Sequence, residues 1–535
     1  MVAPPKKENP ERRMSKARIY ARNLAANWIG YGANLAVMFF LSPFVVHTLG
    51  DVRYGVWSLI MSLTGYLGLV ELGTRGGLGR FINFYLGKED VPRVNGIINT
   101  AMAMFAGAGV LLTGAAVVLA VFFGTFFPKV PDTLVPRAQW VIVIVAANVW
   151  LGFPGASFRQ VLAAFDRFDL SNVVDIGVLA IRTGGTVAVL LYGGGLLELA
   201  IVQTASSAAG VVGAYGLSKR IFPDLRLRPA LASAGHFREL FGFSIWAFVG
   251  SIAYRLLYTT DSIVIAALIG PKHVTFYAIG GMLIMRMREV LRKATSVLSP
   301  QMIKDCARKD YWSLKNLFGK GTTLSMAVSI PILVGFIFFG REFLILWMGP
   351  KYEVSYPILL ILTLSTFPAV AFVMGSPVYA GFHKVRLAAL ITFLQGVLNL
   401  GLSLAFVMVW KMGIVGVAWG TFYPRVTITL FGAYYALRFA RISLGRFLLE
   451  EGWRWLLAIG LFSGICWAGA SLPVESTWAT FFLRVGGVMV PYPPIAWAVL
   501  LRKEDKKRLV DYLAARLPWR RKAATGTSLH ATNDG

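Results

Sequence analysis

Long apolar stretches separated by short polar turns run along almost the whole of this 535-residue chain. An α-helix needs about 20 apolar residues to cross roughly 30 Å of hydrocarbon, and most of these stretches reach that length. The pattern therefore predicts an all-α polytopic membrane protein with about fourteen transmembrane helices. Their approximate bounds are 24–48, 54–79, 97–126, 139–158, 172–192, 196–217, 242–269, 274–300, 321–347, 356–380, 387–410, 413–437, 453–471 and 478–501.

The composition narrows the possible classes of function. Hydrophobic residues make up 56% of the chain and charged residues only 15%, which excludes a soluble enzyme of this size. The two cysteines, Cys306 and Cys466, are too few for a disulfide framework, and the five histidines show no metal-ligand spacing. We therefore expect no metal site and no other cofactor.

The basic residues predict the orientation of the helices. The formal net charge is +27, and 39 of the 53 lysines and arginines fall in the two tails and in alternate loops on one side, against seven on the other side. Lysine and arginine accumulate in cytoplasmic loops, so both termini are predicted to be cytoplasmic. This charge also favours contact with anionic membrane lipids, and nothing in its distribution suggests a nucleic acid partner.

Seven arginines remain that cannot be placed in loops. An arginine in the middle of a bilayer costs about 3 kcal/mol on insertion scales, so such residues usually face a bundle interior or a wet cavity. Arg484 lies near the end of a span, where its side chain can reach the interface. The other six are Arg75, Arg182, Arg255, Arg286, Arg288 and Arg425.

The chain also contains an internal duplication. The segment LGDVRYGVWSLIMSLTGYL from Leu49 resembles LIGPKHVTFYAIGGMLIMRM from Leu268, and the basic turn GKEDVPRVNGIINT from Gly87 corresponds to ARKDYWSLKNLFGKGTT from Ala307, about 220 residues apart in each case. Six spans per unit give both units the same orientation. The predicted parts are a basic tail (1–23), an N-lobe (24–217), a linker (218–241), a C-lobe (242–438), two extra helices (439–501) and a basic amphipathic tail with a disordered end (502–535).

The predicted spans form two repeats of six followed by two extra helices. The second hairpin reads YGVWSLIMSLTGYLGLVELGTRGGLGRF, and the junction from Asp261 reads DSIVIAALIGPKHVTFYAIG. Together these features resemble the polysaccharide transporter branch of the multidrug/oligosaccharidyl-lipid/polysaccharide exporter superfamily. Wzx-type lipid-linked oligosaccharide flippases belong to this branch. The resemblance implies two lobes around a central cavity that opens alternately to each side. It further implies a bacterial inner-membrane flippase for a prenyl-linked oligosaccharide in surface polysaccharide synthesis, acting as a monomeric unit beside polymerase and co-polymerase proteins.

The intramembrane arginines suit such a cargo. A guanidinium offers phosphate a planar pair of donors and stays protonated at any relevant pH. Arg75, Arg255 and Arg286 are the first candidates for the cavity, because they lie in the first two spans of their repeats. Arg288, Arg425 and Arg182 are further candidates, although Arg288 points about 200° away from Arg286 on the same helix.

Structural explanations compete for several of these charges. Glu71 and Arg75 are four residues apart and share a helix face, as do Glu289 and Lys293, while Asp175 and Arg182 are seven apart. Arg425 follows Pro424, whose helix break frees a carbonyl as a local partner. Each of these pairings would neutralise a charge without any substrate.

Two carboxylates are candidates for coupling transport to an ion. A lone acid at membrane depth can hold a proton or a cation, which points to Asp261 and to Glu71. Asp261 could equally pair with Arg255 or lie at the outer mouth. The alternatives remain open at this stage.

Three other functions compete with the oligosaccharide flippase. A peptidoglycan lipid II flippase of the same superfamily is the nearest, but we expect charge in its first span, and here residues 24–48 contain only His47. Another exporter of the superfamily with a cationic cargo would need carboxylates along its pore. A membrane glycosyltransferase or polymerase is less favoured, because the predicted outer loops are short and the longest, about 127–139, holds the single acid Asp132.

Overall fold

A computed structural model describes the backbone of residues 10–71, 74–502 and 506–507, and the side chains of residues 28–69, 77–241, 248–502 and 506–507. The described ranges are almost entirely helical and contain no β-strand. An all-α structure follows from the sequence, because only helices satisfy every backbone hydrogen bond within a single apolar segment. Eleven helical segments among the described residues are long and apolar enough to cross a membrane.

The helices of the first half are numbered in chain order. They are α1 (Pro10–Leu49), α2 (Asp51–Leu67), α3 (Thr74–Leu86), α4 (Val91–Val121), α5 (Phe123–Phe126), α6 (Val135–Ala164), α7 (Phe168–Leu191), α8 (Leu196–Ile221), α9 (Ala234–Tyr258) and α10 (Thr260–Leu268).

The helices of the second half continue this numbering. They are α11 (Pro271–Ser296), α12 (Ser299–Arg308), α13 (Tyr311–Met348), α14 (Tyr356–Ala371), α15 (Gly375–Gly381), α16 (Val385–Met408), α17 (Gly413–Phe439), α18 (Leu444–Phe447), α19 (Trp453–Ala470), α20 (Trp478–Met489) and α21 (Tyr492–Ile495). Two short π-helical turns, Leu448–Gly452 and Ala496–Leu500, follow α18 and α21.

The predicted spans and the observed helices differ in several places. The predicted span 356–380 is divided between α14 and α15, and the predicted span 478–501 is divided between α20, α21 and the π-helical turn after it. The predicted span 54–79 is divided, because α2 ends at Leu67 and a 3₁₀ turn follows at Gly68–Glu71 in a glycine-rich stretch. The span 242–269 is divided between α9 and α10. Helix α1 begins at Pro10, inside the predicted tail 1–23. The count of fourteen spans stays a prediction, and the C-terminal tail beyond residue 507 lies outside the described residues.

The internal duplication is visible in backbone geometry. The turn between α1 and α2 passes through Gly50 with φ +77°, and the turn between α10 and α11 passes through Gly270 with φ +129°. Positive φ is accessible to glycine at little cost, so each turn has the residue that it requires. The structure therefore supports the correspondence of the two hairpins that the sequence indicates.

The basic turns repeat in the same way. Glu89 and Lys309 both have φ +56°, and each precedes an aspartate that caps the next helix. Asp90 accepts a hydrogen bond from the backbone N–H of Arg93 at 3.1 Å, and Asp310 accepts one from the N–H of Ser313 at 3.0 Å. An aspartate at this position satisfies a backbone donor that a helix start leaves unpaired. The two halves thus share a turn conformation as well as a sequence pattern.

The contacts divide the chain into two compact units. Unit 1 comprises Met1–Gly280 and Val385–Pro424, and unit 2 comprises Gly281–Lys384 and Arg425–Gly535. In unit 1, α6 packs on α4 and α8, and α9 packs on α16. In unit 2, α13 packs on α14, α19 and α20. The predicted lobe boundaries are a different division of the chain and stay a prediction.

Candidate functional site: charged residues at membrane depth

Arg255 lies near the end of α9, in unit 1, and its side chain is half-buried. Its guanidinium occupies the space beside Gly65 of α2, where a Cβ atom would lie 2.8 Å from Nη1. The glycine thus makes room for the arginine. No carboxylate within the described part of the chain forms an ion pair with Arg255, so the predicted alternative of a pair with Asp261 is not found.

The division of the predicted seventh span positions the carboxylate of Asp261. Helix α9 ends at Tyr258, where the hydroxyl of Thr259 donates to the carbonyl of Arg255 at 2.7 Å. Helix α10 then starts at Thr260, so Asp261 falls in its first turn. A helix N-terminus stabilises negative charge, which partly offsets the cost of a carboxylate that is only 7% exposed.

Hydroxyl groups from other helices hold Asp261 in place. Its Oδ2 accepts hydrogen bonds from the hydroxyl of Tyr277 on α11 at 2.5 Å and from that of Thr421 on α17 at 2.9 Å. The amide of Asn399 on α16 in turn donates to Thr421 at 2.8 Å. All four side chains are buried. They form a polar cluster, here called the Asp261 cluster, inside unit 1.

One acceptor of this cluster has no donor. Asn399 Oδ1 is buried and has no hydrogen-bond partner among the described residues. The hydroxyl of Ser403, one turn further along α16, donates to the carbonyl of Val417 at 3.5 Å, and this carbonyl also accepts from Thr421 at 3.3 Å. Carboxylate, amide, hydroxyl and carbonyl oxygens are therefore gathered in one place. Such oxygens are the ligands that hard cations prefer.

The arginines of α11 have different surroundings. Arg286 Nη1 lies 2.9 Å from Glu289 Oε2, and about a third of each side chain is exposed. Glu289 interacts electrostatically with Lys293, as predicted, and it also forms an i,i+3 ion pair with Arg286, which reduces the free charge that Arg286 offers. Arg288 is half-buried on the same helix.

Two further arginines are tightly enclosed in unit 2. Arg425, on α17, is 4% exposed, and its Nη1 lies 3.2 Å from the hydroxyl of Ser365 on α14. Arg484, on α20, forms an ion pair with Glu342 on α13, with 9% and 17% of the two side chains exposed. The expectation that Arg484 extends to the interface is therefore wrong, because a carboxylate on the neighbouring helix fixes it.

The predicted pairs of Asp175 with Arg182 and of Glu71 with Arg75 have different outcomes. Asp175 on α7 pairs with Arg159 on α6 at 3.0 Å, so its ion-pair partner lies on a neighbouring helix, and Arg182 is half-buried further along α7. The side chains of Arg75 and Glu71 lie outside the described residues, and their predicted pair and roles remain predictions.

Both cysteines are buried. Cys306 lies on α12, a short helix that follows the span formed by α11, and burial together with the neighbouring Asp305 raises the pKa of its thiol to about 11. No group of three or more histidine, cysteine, aspartate or glutamate side chains that could hold a metal occurs in the described part of the chain. The structure thus offers no thiolate chemistry near neutral pH.

The polar groups of the Asp261 cluster were missed in the sequence, apart from Asp261 itself. Tyr277 lies within the second copy of the repeated hairpin sequence, while Asn399 and Thr421 are single polar residues in apolar spans. A usable signal was present, because an asparagine in the middle of a span requires hydrogen-bond partners inside the protein.

The sequence resembles known proteins of glycan synthesis. The model of the family described as "Polysaccharide biosynthesis protein" matches residues 20–304, just over half of the chain. The membrane protein EpsK of Bacillus subtilis is 22% identical over 405 residues, covering 74% of this chain and 78% of that protein. A Shigella flexneri protein described as an O-antigen transporter is 21% identical over 406 residues, covering 74% and 93% respectively. A Haloferax volcanii protein described as a low-salt glycan biosynthesis flippase, Agl15, is 25% identical over 255 residues, covering 48% and 52%.

Solved structures share the fold. The lipid II flippase MurJ matches with a TM-score of 0.65 and 15% identity, covering 90% of this chain and 99% of that chain. A multidrug resistance transporter of the MATE family matches with a TM-score of 0.62 and 12% identity, covering 76% and 95%. The chain therefore belongs to the polysaccharide biosynthesis protein family and is a multi-pass membrane protein that shares its fold with these solved structures.

Proposed function

We propose that this protein is a flippase that moves a prenyl-phosphate- or prenyl-pyrophosphate-linked oligosaccharide from the cytoplasmic to the outer leaflet of a bacterial inner membrane, for surface polysaccharide synthesis. The family and the relatives described as an O-antigen transporter and a glycan biosynthesis flippase support this class of cargo. In this proposal the prenyl chain stays in lipid, and the protein shields only the polar head.

Within this chain's own structure, the surroundings of Arg255 give the main support for the proposal. This residue is an arginine at membrane depth, beside a glycine that leaves room for it, without a carboxylate partner in the described ranges. Keeping a charge in a bilayer costs free energy, so an arginine that no described carboxylate neutralises favours a role with an anionic ligand. A guanidinium can bind phosphate through two parallel hydrogen bonds.

The proposed transport cycle uses the predicted architecture. Fourteen spans would place both termini in the cytoplasm, and the N-lobe (24–217) and C-lobe (242–438) would alternate around a central cavity, with the helices of 439–501 outside the repeat. Arg75, Arg286, Arg288, Arg425 and Arg182 are proposed as further cavity residues. Arg286 is partly exposed together with its partner Glu289, so this ion pair can exchange for a phosphate.

We propose the Asp261 cluster as the site where transport is coupled to an ion. Protonation or cation binding at Asp261 would neutralise a buried carboxylate, and the unpartnered Asn399 Oδ1 offers a further ligand. The cluster joins α10, α11, α16 and α17, so its occupancy can affect the packing of all four helices. Glu71 is a second proposed coupling residue on sequence grounds alone.

The decisive experiment measures surface polysaccharide in a strain whose own copy of the gene is deleted. We expect Arg255→Ala to lower export at least tenfold at unchanged membrane levels, and Arg255→Lys to restore part of it, because lysine keeps the charge and loses the planar donor pair. Arg341→Ala is the matched control, since Arg341 already pairs with Glu353 at 2.6 Å. Unchanged export with alanine at Arg255, Arg75 and Arg286 in turn would refute the proposal.

A lipid II flippase is the second candidate, because the fold match with MurJ spans 90% of this chain. The two candidates differ in the cell: rescue of a strain that lacks its lipid II flippase would favour the second, and rescue of surface polysaccharide alone would favour the first. Polymerase and co-polymerase proteins are proposed partners only in the first case. A monomeric transport unit is proposed in both.

A further inference from the structure

A basic cavity lies in unit 1 at the ends of helices that the charge distribution places on the outer side. It has a volume of about 260 Å³ and is lined by Arg53, Arg137, Glu198 and the glycines Gly193 and Gly195, with three leucines. The side that carries it holds only seven lysines and arginines in the whole chain, and two of them meet here. We call it the outer basic cavity.

Three helices begin at this cavity. Arg53, Arg137 and Glu198 are each the third residue of their helix, in α2, α6 and α8 respectively. A helix N-terminus carries partial positive charge and favours acidic side chains in its first turn. Glu198 follows this rule and accepts the backbone N–H of Gly195 at 2.7 Å. The two arginines are exceptions to it, so an additional anion bound close by would stabilise both positions.

The protein neutralises these arginines only in part, because Arg137 interacts electrostatically with Glu198 and Arg53 has no such partner among the described residues. Arg53 and Arg137 are exposed, and within the described ranges neither forms an ion pair with a carboxylate. By contrast, Arg341 on the same predicted side pairs with Glu353 at 2.6 Å. Two arginines and three helix N-termini therefore surround a single carboxylate, Glu198, so the lining of the cavity keeps a net positive charge.

The cavity has the size and the walls for a phosphate group. Its volume equals about nine water molecules at roughly 30 Å³ each, which leaves space for a phosphate together with bridging waters. Gly193, with φ +78°, has no atom within 4 Å of the place where a Cβ would stand, so this wall leaves the backbone open. Guanidinium groups bind phosphate oxygens through paired, charge-assisted hydrogen bonds.

Flanking aromatic residues indicate that the phosphate belongs to a lipid. Tyr192, next to Gly193, is 92% exposed, and Trp140, one turn after Arg137 on α6, is 65% exposed. Tyrosine and tryptophan concentrate at the headgroup level of membranes, where one part of the ring contacts lipid and the polar part contacts water. A cavity between them is therefore at the depth of lipid headgroups.

We propose that the outer basic cavity binds the phosphate of a membrane lipid in the outer leaflet through Arg53 and Arg137. Two sources share this chemistry, a phospholipid of the bilayer and the phosphate of a prenyl-linked molecule after its transfer. The inference is independent of the proposed transport, because binding can be measured on the purified protein without any movement of cargo.

The experiment is native mass spectrometry of the full chain with two probes, phosphatidylglycerol and undecaprenyl pyrophosphate, added separately. The test variant is Arg53→Gln with Arg137→Gln, and the matched control is Arg341→Gln with Lys351→Gln, which removes the same charge from the same predicted side. We expect the test variant to retain at least fivefold less of one probe or of both, and the control to differ from the wild type by less than twofold.

The pattern of loss identifies the lipid. A loss for phosphatidylglycerol indicates a bilayer phospholipid, and a loss confined to the prenyl probe indicates the transferred molecule. A variant with lysine at both positions keeps the charge and should retain an intermediate amount, which excludes misfolding as the cause of the loss. Equal retention of both probes by the glutamine variant and the control would overturn the proposal.

Discussion

Arg255 and Arg484 should respond in opposite directions to the same substitution, methionine. Arg255 has no carboxylate partner within the described residues, so Arg255→Met removes a half-buried charge and leaves none of the described carboxylates unpaired. Arg484→Met leaves Glu342 uncompensated, with 17% of its side chain exposed. The two variants therefore separate a charge kept for a ligand from a charge kept for packing.

The magnitudes follow from these environments. An arginine at the centre of a bilayer costs about 3 kcal/mol on insertion scales, and the partial exposure of Arg255 reduces this, so its replacement should be neutral or stabilise the fold by up to about 2 kcal/mol. Breaking an enclosed ion pair by removing one partner costs about 3–5 kcal/mol. The two variants should thus differ by at least about 3 kcal/mol.

Thermal unfolding in detergent provides the measurement. Cys306 and Cys466 are both buried, so a thiol-reactive fluorescent dye reports their exposure as the protein unfolds. Arg255→Met should keep or raise the unfolding temperature while transport is lost. Arg484→Met should lower that temperature clearly, and adding Glu342→Met should restore it, because an apolar pair can replace an enclosed ion pair. Equal destabilisation by the two single variants would refute the reasoning, as would full transport by Arg255→Met.

Three further results are expected. Thr421→Val keeps the shape of the side chain and removes the hydroxyl that donates to Asp261, so unfolding followed by the same dye should show a loss of about 2–4 kcal/mol. In a Cys466→Ala background, Cys306, whose pKa is about 11, should react with iodoacetamide about tenfold faster for each pH unit between 8 and 10, while the unfolded chain should level off near pH 9. Gly55→Ala should lower the unfolding temperature, because the added methyl would collide with a backbone carbonyl at the start of α11 that no rotamer change can move.

Local rules predicted the helices and their turns well. A twenty-residue apolar stretch allows only a helix in lipid, and turns such as those before Asp90 and Asp310 need a capping residue that the sequence displays. The interruption of the seventh span was not predictable in this way. Thr259 and Thr260 are compatible with a continuous helix, and the break depends on contacts made by the side chains around it, such as the hydrogen bond between Thr260 and Tyr66 of α2.

Partners of the intramembrane charges were the least predictable feature, because spacing along one helix finds only partners on that helix. The rule paired Glu289 with Lys293 and did not assign it to Arg286, whose side chain forms an ion pair with it three residues away. It could not find Glu342 for Arg484 or Arg159 for Asp175, since these pairs join different helices. Pairing between helices depends on how they are packed, which a single sequence does not specify.

The pairing pattern also bears on which arginines can bind cargo. A transporter must release its ligand. An arginine that binds cargo in one conformational state therefore needs another partner, or exposure to water, at a low free-energy cost in the other conformational state. Arg286 has both, because its pair with Glu289 is partly exposed. Arg255 has partial exposure without a competing carboxylate in the described ranges. Arg484 would have to leave Glu342 unpaired, at a cost of about 3–5 kcal/mol, before it could bind a phosphate. The first two arginines are therefore suited to repeated exchange of an anionic ligand, whereas Arg484 is suited to holding two helices together.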